Sequence, residues 1–187
     1  MKKTIKILII CIILLSIFFL LFKVIDIDKI VMKKVYPLKY TEYVEKYSKE
    51  YNIDSYMIYA IIKAESNFNE KAKSKSNAIG LMQIMEPTAK EIAVEMKLNI
   101  LEQQLYEPEW NIQLGTKYFA SLLEKYKNNY SIAIIAYNAG IGNVDKWIKE
   151  GTIKEDGTDL ENVPFKETNN YVRKILRNYE IYKGLYE

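Results

Sequence analysis

Asp54-Ser55-Tyr56-Met57-Ile58-Tyr59-Ala60-Ile61-Ile62-Lys63-Ala64-Glu65 is the stretch on which the fold turns. Met57, Ile58, Ile61 and Ile62 recur at intervals of three and four, the spacing of one helix face. Asp54 stands where a helix N-cap belongs. The stripe continues one turn past Ile61 to Glu65, so the helix ends in a carboxylate on its buried side. Reading outward, Val44, Tyr47 and Tyr51 make a helical stripe upstream. Residues 67–79, rich in Asn, Lys and Ser, read as a loop. Pro87 suits the first position of a helix carrying Ile92, Val94 and Met96. Pro108 does the same for a longer helix with Ile112, Gly115, Phe119, Leu122 and Tyr126 on one face. Ser131 is placed to cap a short apolar helix, Ile132 to Ala139. Gly140, Gly142 and Asn143 end it and begin another. Residues 151–163 are polar and loop-like. Thr168 to Tyr182 closes the chain as a helix with Val172, Ile175, Leu176 and Tyr179 inward. No run sustains two-residue alternation, so the expected class is all-α.

Composition narrows the chemistry. The first 40 residues carry eight lysines against Asp26 and Asp28, while the rest hold 19 Lys and Arg against 22 Asp and Glu. A basic leading end thus precedes a mildly acidic body, and an acidic body argues against a nucleic-acid partner. With 49% hydrophobic residues, 7 Gly and 4 Pro in 187 residues, a disordered or collagen-like chain is excluded. The absence of His removes His-based triads, bases and metal sites. One Cys removes a disulfide framework and a Cys-only zinc site, and the carboxylates are not spaced as a calcium loop. No metal and no cofactor are therefore expected. Chemistry falls to carboxylates, hydroxyls, amides, Lys and Arg.

Ile7 to Phe22 is nearly pure Ile, Leu and Phe, broken by Cys11 and Ser16. That length is at the short end of a membrane-spanning helix. No small-x-small cleavage site follows, because Phe22-Lys23-Val24-Ile25 is too bulky. Residues 1–23 are therefore expected to be an uncleaved signal anchor, a single transmembrane helix, rather than a cleaved signal. Lys2, Lys3 and Lys6 favour the cytoplasmic side, which puts the body outside the cell membrane. Residues 24–40 read as a stalk and residues 41–187 as the globular body.

Within that body, Glu65 is the informative carboxylate. Desolvation on the buried stripe disfavours its charge and raises its pKa, which suits a general acid at neutral pH. The competing reading is a helix-end Glu that caps or pairs with Lys63 or Lys71. Gly80-Leu81-Met82-Gln83 joins a glycine to an amide just before a helix, where backbone and side chain can approach a ligand. Ala136-Tyr137-Asn138-Ala139-Gly140 ends a helix with a phenol and an amide side by side. For each of these, ordinary packing or a helix cap competes with binding. The total of 16 Tyr suits a carbohydrate cleft as well as an amphipathic core.

Taken together, the blocks resemble the catalytic domain of the soluble lytic transglycosylase family, which is related in fold to goose-type lysozyme. Ala64-Glu65-Ser66-Asn67-Phe68-Asn69 looks like its catalytic Glu-Ser block. Ser76-Asn77-Ala78-Ile79-Gly80-Leu81-Met82-Gln83-Ile84-Met85, continued by Pro87-Thr88-Ala89, looks like its Gly-Leu-Met-Gln block. Tyr106-Glu107-Pro108-Glu109-Trp110-Asn111-Ile112 resembles the start of its long helix. Ala136 to Gly140, with Gly142-Asn143-Val144, is similar to its Asn-Ala-Gly block. Pro164-Phe165-Lys166-Glu167-Thr168 with Tyr171-Val172 resembles its closing block. The five come in the family's order over about 130 residues. Ala64, where the family often has Gln, and Ile79, where it often has Ala or Val, depart mildly.

The resemblance implies a lysozyme-like helical domain at residues 41–187, preceded by the transmembrane helix, acting on glycan strands of peptidoglycan. Glu65 matches the family's single catalytic acid. It would protonate the oxygen between N-acetylmuramic acid and N-acetylglucosamine, then take the proton of the muramyl 6-hydroxyl as that oxygen closes on C1. The product is a 1,6-anhydro end. Tyr137 matches the residue that orients or hydrogen-bonds the Glu. Ser66, Met82, Gln83 and Asn138 resemble positions lining or bracing the cleft, and Tyr171 joins that wall as a further substrate-binding candidate. Glu167 and Thr168 are either functional or a helix start. Neither Glu70 nor Glu86 matches a catalytic position. Two other readings remain: a lysozyme-like hydrolase on the same fold, and a non-catalytic glycan-binding subunit of an envelope machine. The sequence identifies no protein partner.

Overall fold

The computed structural model describes the backbone of residues 2–24 and 27–187, and the side chains of residues 3–18 and 27–187. Residues 1–37 and residues 38–187 form separate compact units.

The first unit holds α1 (Lys2–Val24) and α2 (Ile27–Val35). Among the described residues, no helix is long and apolar enough to cross a membrane. Residues 19–22 complete the apolar run in sequence but lie outside the described side chains. Part of the expected stalk is helical, since α2 falls inside it.

The second unit contains α3 (Thr41–Glu50), α4 (Ser55–Glu65), a hairpin of β1 (Ala78–Ile79) and β2 (Ile84–Met85), α5 (Glu86–Glu95), α6 (Pro108–Lys125), α7 (Tyr130–Ala139), α8 (Ile141–Lys149) and α9 (Lys166–Tyr186). Asp54 does cap α4: its carboxylate accepts from the Tyr56 amide at 2.9 Å. The six residues Met57 to Ile62 are all buried, so α4 is sheathed on every side rather than on one stripe. α9 packs along α4 and also against α7, while α3, α5 and α7 pack on α6. Each fully buried aliphatic side chain in this interior contributes about 1.5–3 kcal/mol. A satellite cluster of Ile79, Ile84, Ala89, Ile92, Leu105 and Leu114 seats the hairpin on α5 and α6.

Several local expectations are corrected. Val94 is 75% exposed, and α5 buries Ala89, Ile92 and Ala93 instead. The β-hairpin has two-residue strands, too short to show alternation. Asn129, not Ser131, caps α7, accepting from the Ile132 amide at 3.1 Å. α9 starts before Thr168 and runs past Tyr182; it buries Val172 and Ile175 as expected, Asn178 and Tyr182 besides, and leaves Leu176 and Tyr179 half-buried.

Candidate active site

Glu65 is the last residue of α4, and the chain turns sharply after it. Asn67 and Phe68 both adopt left-handed backbone, with φ of 51° and 64°. That turn buries Phe68 and sends the chain away, leaving the Glu65 carboxyl at the helix end. Ser66 secures the turn: its hydroxyl donates to the Leu81 carbonyl at 2.8 Å. The Tyr171 hydroxyl of α9 donates to Glu65 Oε1 at 2.5 Å. Burial pushes the Glu65 carboxyl up to about 7, against the opposing pull of the Tyr171 hydrogen bond and of Lys174. Of the two lysines offered by the competing reading of Glu65, Lys63 donates to Asn67 at 2.6 Å. Glu70 accepts from Tyr40 and Glu86 pairs with Lys90, so each neighbouring carboxylate has its own partner.

The Gly80–Gln83 loop is held from beneath by Asn111, a buried residue whose role sequence reasoning missed. Its Nδ2 donates to the carbonyls of Ile79 at 2.9 Å and Leu105 at 2.7 Å, and its Oδ1 accepts from the Met82 amide at 2.7 Å. Gly80 has φ of 78°, and a Cβ there would stand 2.2 Å from Asn111 Nδ2. Only glycine meets both demands, the left-handed backbone and the close approach. Gly115 serves the other side of the loop, because a Cβ on it would come within 2.6 Å of Met82 Sδ.

These contacts give the expected site residues different partners. Tyr137, expected to hydrogen-bond the acid, instead donates to the Met82 carbonyl at 2.8 Å; the hydroxyl on Glu65 belongs to Tyr171. Geometry decides this, since α9 runs along α4 whereas Tyr137 faces the loop. Met82 is fully buried, and its amide and carbonyl are held by Asn111 and Tyr137, so its side chain does not line the cleft. Asn138 is exposed, and its Oδ1 accepts from the buried Thr168 hydroxyl at 2.7 Å. Gln83 turns its amide inward, donating to Gly80 O at 2.9 Å and Ala72 O at 3.2 Å.

A cleft of about 260 Å³ lies beside these groups, with Gln83, Met85, Thr88, Tyr118, Tyr137 and Asn138 among its walls. The Tyr118 and Tyr137 rings meet at 5.3 Å between centroids. Glu65 is not part of that lining, but its charge acts on Tyr137, which is. Burial raises the phenols of Tyr137 and Tyr171 well above the usual value, so both stay protonated donors at neutral pH. A larger hollow of about 400 Å³ beside the hairpin, lined by Lys73, Asn77, Glu86 and Glu102, holds none of the expected site residues. Among the described residues, no group of three or more His, Cys, Asp or Glu could hold a metal.

An all-α, lysozyme-like domain whose buried helix ends in one desolvated glutamate is the class that fold and site define. Residues 42–159 match the transglycosylase SLT domain. The chain is 35% identical over 154 residues to the soluble lytic murein transglycosylase of Salmonella typhimurium, covering 81% of this chain and 24% of that protein. It is 38% identical over 117 residues to the membrane-bound lytic murein transglycosylase C of Edwardsiella ictaluri, covering 57% of this chain and 32% of that one. In three dimensions it is similar to an inactive Glu-to-Gln mutant of the lytic transglycosylase Slt from Pseudomonas aeruginosa, with a TM-score of 0.73, 33% identity, 80% of this chain and 24% of that one. The chain belongs to the transglycosylase SLT domain family. It spans about a quarter of the length of the soluble relative.

Proposed function

We propose that this chain is a peptidoglycan lytic transglycosylase in which Glu65 acts first as acid and then as base. The observation that carries the reading is a single carboxyl at the end of α4, desolvated to a pKa of about 7 and touched by the Tyr171 hydroxyl. A group half-protonated near neutrality can give a proton and take one back, the two steps required of one residue. Protonated Glu65 donates to the bridging oxygen between N-acetylmuramic acid and N-acetylglucosamine, and the glycosidic bond breaks toward an oxocarbenium-like state. The carboxylate then removes the proton of the muramyl 6-hydroxyl as its oxygen bonds to C1. Proton and electron pair balance, no water is consumed, and the end released is 1,6-anhydro.

Tyr171 holds the carboxyl oxygen in place. Ser66, Tyr137, Gln83 and the backbone of Met82 shape the loop against which the sugar rests, and Asn138 offers an exposed amide at the cleft wall. The inactive structural neighbour from Pseudomonas aeruginosa carries a Glu-to-Gln change, which supports a glutamate in the central role. The apolar run Ile7 to Phe22 anchors the chain in the cell membrane, with residues 41–187 on the extracytoplasmic side. The membrane-bound naming of one set of relatives supports an association with the membrane.

Mass spectrometry of purified sacculi digested with the full chain in detergent tests the chemistry. Expected products carry 1,6-anhydro ends. Reducing ends, one water heavier, would make the protein a hydrolase, and undigested sacculi would favour a glycan-binding role.

A further inference from the structure

Helix α9 meets α4 through a series of polar contacts that follow its sequence. Tyr171 donates to Glu65, Lys174 Nζ donates to the Ala64 carbonyl at 2.7 Å, and Asn178 Nδ2 donates to the Ala60 carbonyl at 3.4 Å. The Tyr179 hydroxyl reaches the Asp54 cap at 2.6 Å. Residues 171, 174 and 178 are three and four apart, so they share one face of α9. This face accompanies α4 from its acid back to its N-cap, and Lys174 is its charged member.

The Ala64 carbonyl is among the last four of α4, which have no partner within the helix, and the helix dipole concentrates negative partial charge there. That carbonyl also shares a planar peptide unit with the Glu65 amide, so fixing one fixes the backbone from which the acid projects. We propose that Lys174 is a positioning residue for Glu65: its ammonium pins the Ala64–Glu65 peptide unit and keeps a positive charge beside the carboxyl. The proposal rests on the reading of Glu65 as the acid.

The groups facing Glu65 are few. From α9 come Tyr171 and Lys174, and from α7 comes Tyr137, with Tyr118 of α6 behind it. On α4 itself, burial lowers the Lys63 pKa first, with Lys174 and Lys39 nearby adding to it. The phenols remain neutral in the working range, so of the groups acting on Glu65 it is Lys174 that carries a full charge. A nearby cation favours the carboxylate and opposes burial. Lys174 therefore keeps the base form accessible after the proton has been given away, the form needed to take the 6-hydroxyl proton.

The test compares wild type, Lys174→Met and Lys174→Arg as full-length protein in detergent. Glu65 is titrated by carboxyl carbon-13 NMR, assigned by the signal that Glu65→Gln removes, and turnover on sacculi is followed against pH. In Lys174→Met the Glu65 titration and the alkaline limb of activity should move up together by roughly half a pH unit, since the lysine is exposed and screened. kcat should fall severalfold at unchanged apparent KM, and Lys174→Arg should restore both. High salt should move wild type toward Lys174→Met while leaving that variant in place. A Glu65 titration unchanged in Lys174→Met overturns the proposal, whatever happens to turnover or melting. Full activity in Glu65→Gln would instead overturn the assigned acid, and the NMR titration would still decide what Lys174 does.

Discussion

The last turns of α4 and α7 both carry polar side chains near the cleft, and they are built in opposite ways. α4 ends in Glu65, desolvated and touched by Tyr171 from a helix far along the chain. α7 ends in Tyr137 and Asn138, of which the first braces the Met82 carbonyl and the second faces solvent with Thr168 as partner. At α4 the environment works on the proton, raising the carboxyl pKa to about 7. At α7 it works on position, holding a loop. A reactive group needs burial that perturbs it, whereas a scaffold group needs burial that satisfies it.

The contrast is broken most severely at the acid. Glu65→Gln should reduce turnover on sacculi by about 10⁴-fold, the upper end for general acid–base catalysis. The same variant should be more stable than wild type at high pH. A carboxyl raised from 4.5 to about 7 in the folded state makes wild-type stability fall as pH rises through that window. Thermal melts should show Glu65→Gln ahead by on the order of 1–3 kcal/mol at pH 8 and level with wild type near pH 4. Equal stability at both pH values would deny the desolvation.

Asn111→Ala attacks the scaffold at its deepest point. It orphans two buried carbonyls and one buried amide, and denaturant titration should show a loss of about 3 kcal/mol or more. Activity should then fall with folding, at an unchanged pH profile in the folded fraction. A loss under 1 kcal/mol would mean that the loop has other support.

Tyr171→Phe and Tyr137→Phe sharpen the comparison, since each deletes one oxygen. Tyr171→Phe should lower turnover about tenfold, equivalent to about 1.4 kcal/mol of barrier, and move the alkaline limb upward, because the lost donor favoured the carboxylate. Tyr137→Phe should cost about 0.5–1.5 kcal/mol of stability and leave the limb where it is. If the two variants exchanged these signatures in paired melting and pH–rate measurements, the roles of the two tyrosines would be reversed.

Much of this was legible in sequence because it is local. The Asp54 cap, the α4 stripe and the placing of Glu65 at its buried end need only spacing and helix geometry. The direction of a hydroxyl does not. Tyr137 and Tyr171 are both tyrosines near one carboxyl, and α9 packing against α4 across more than a hundred residues decides which one reaches it. The hairpin has no sequence signature because two-residue strands have no period. Asn111 left a signal that could have been followed: it lies four residues before the inward Gly115, a polar side chain in an apolar stripe. Its three partners come from the separate segments 79–82 and 105, which no local pattern joins. Lys174 looks like a surface charge in sequence, and it becomes informative only once α4's last carbonyls are located.

That one desolvated glutamate carries the reaction is tested most directly by the pH dependence of wild-type turnover on sacculi. An alkaline limb is expected near pH 7, with kcat falling about tenfold for each further pH unit as Glu65 loses the proton it must donate. Turnover that stays level through pH 9, or a limb near the ordinary carboxylate value of 4.5, would contradict it.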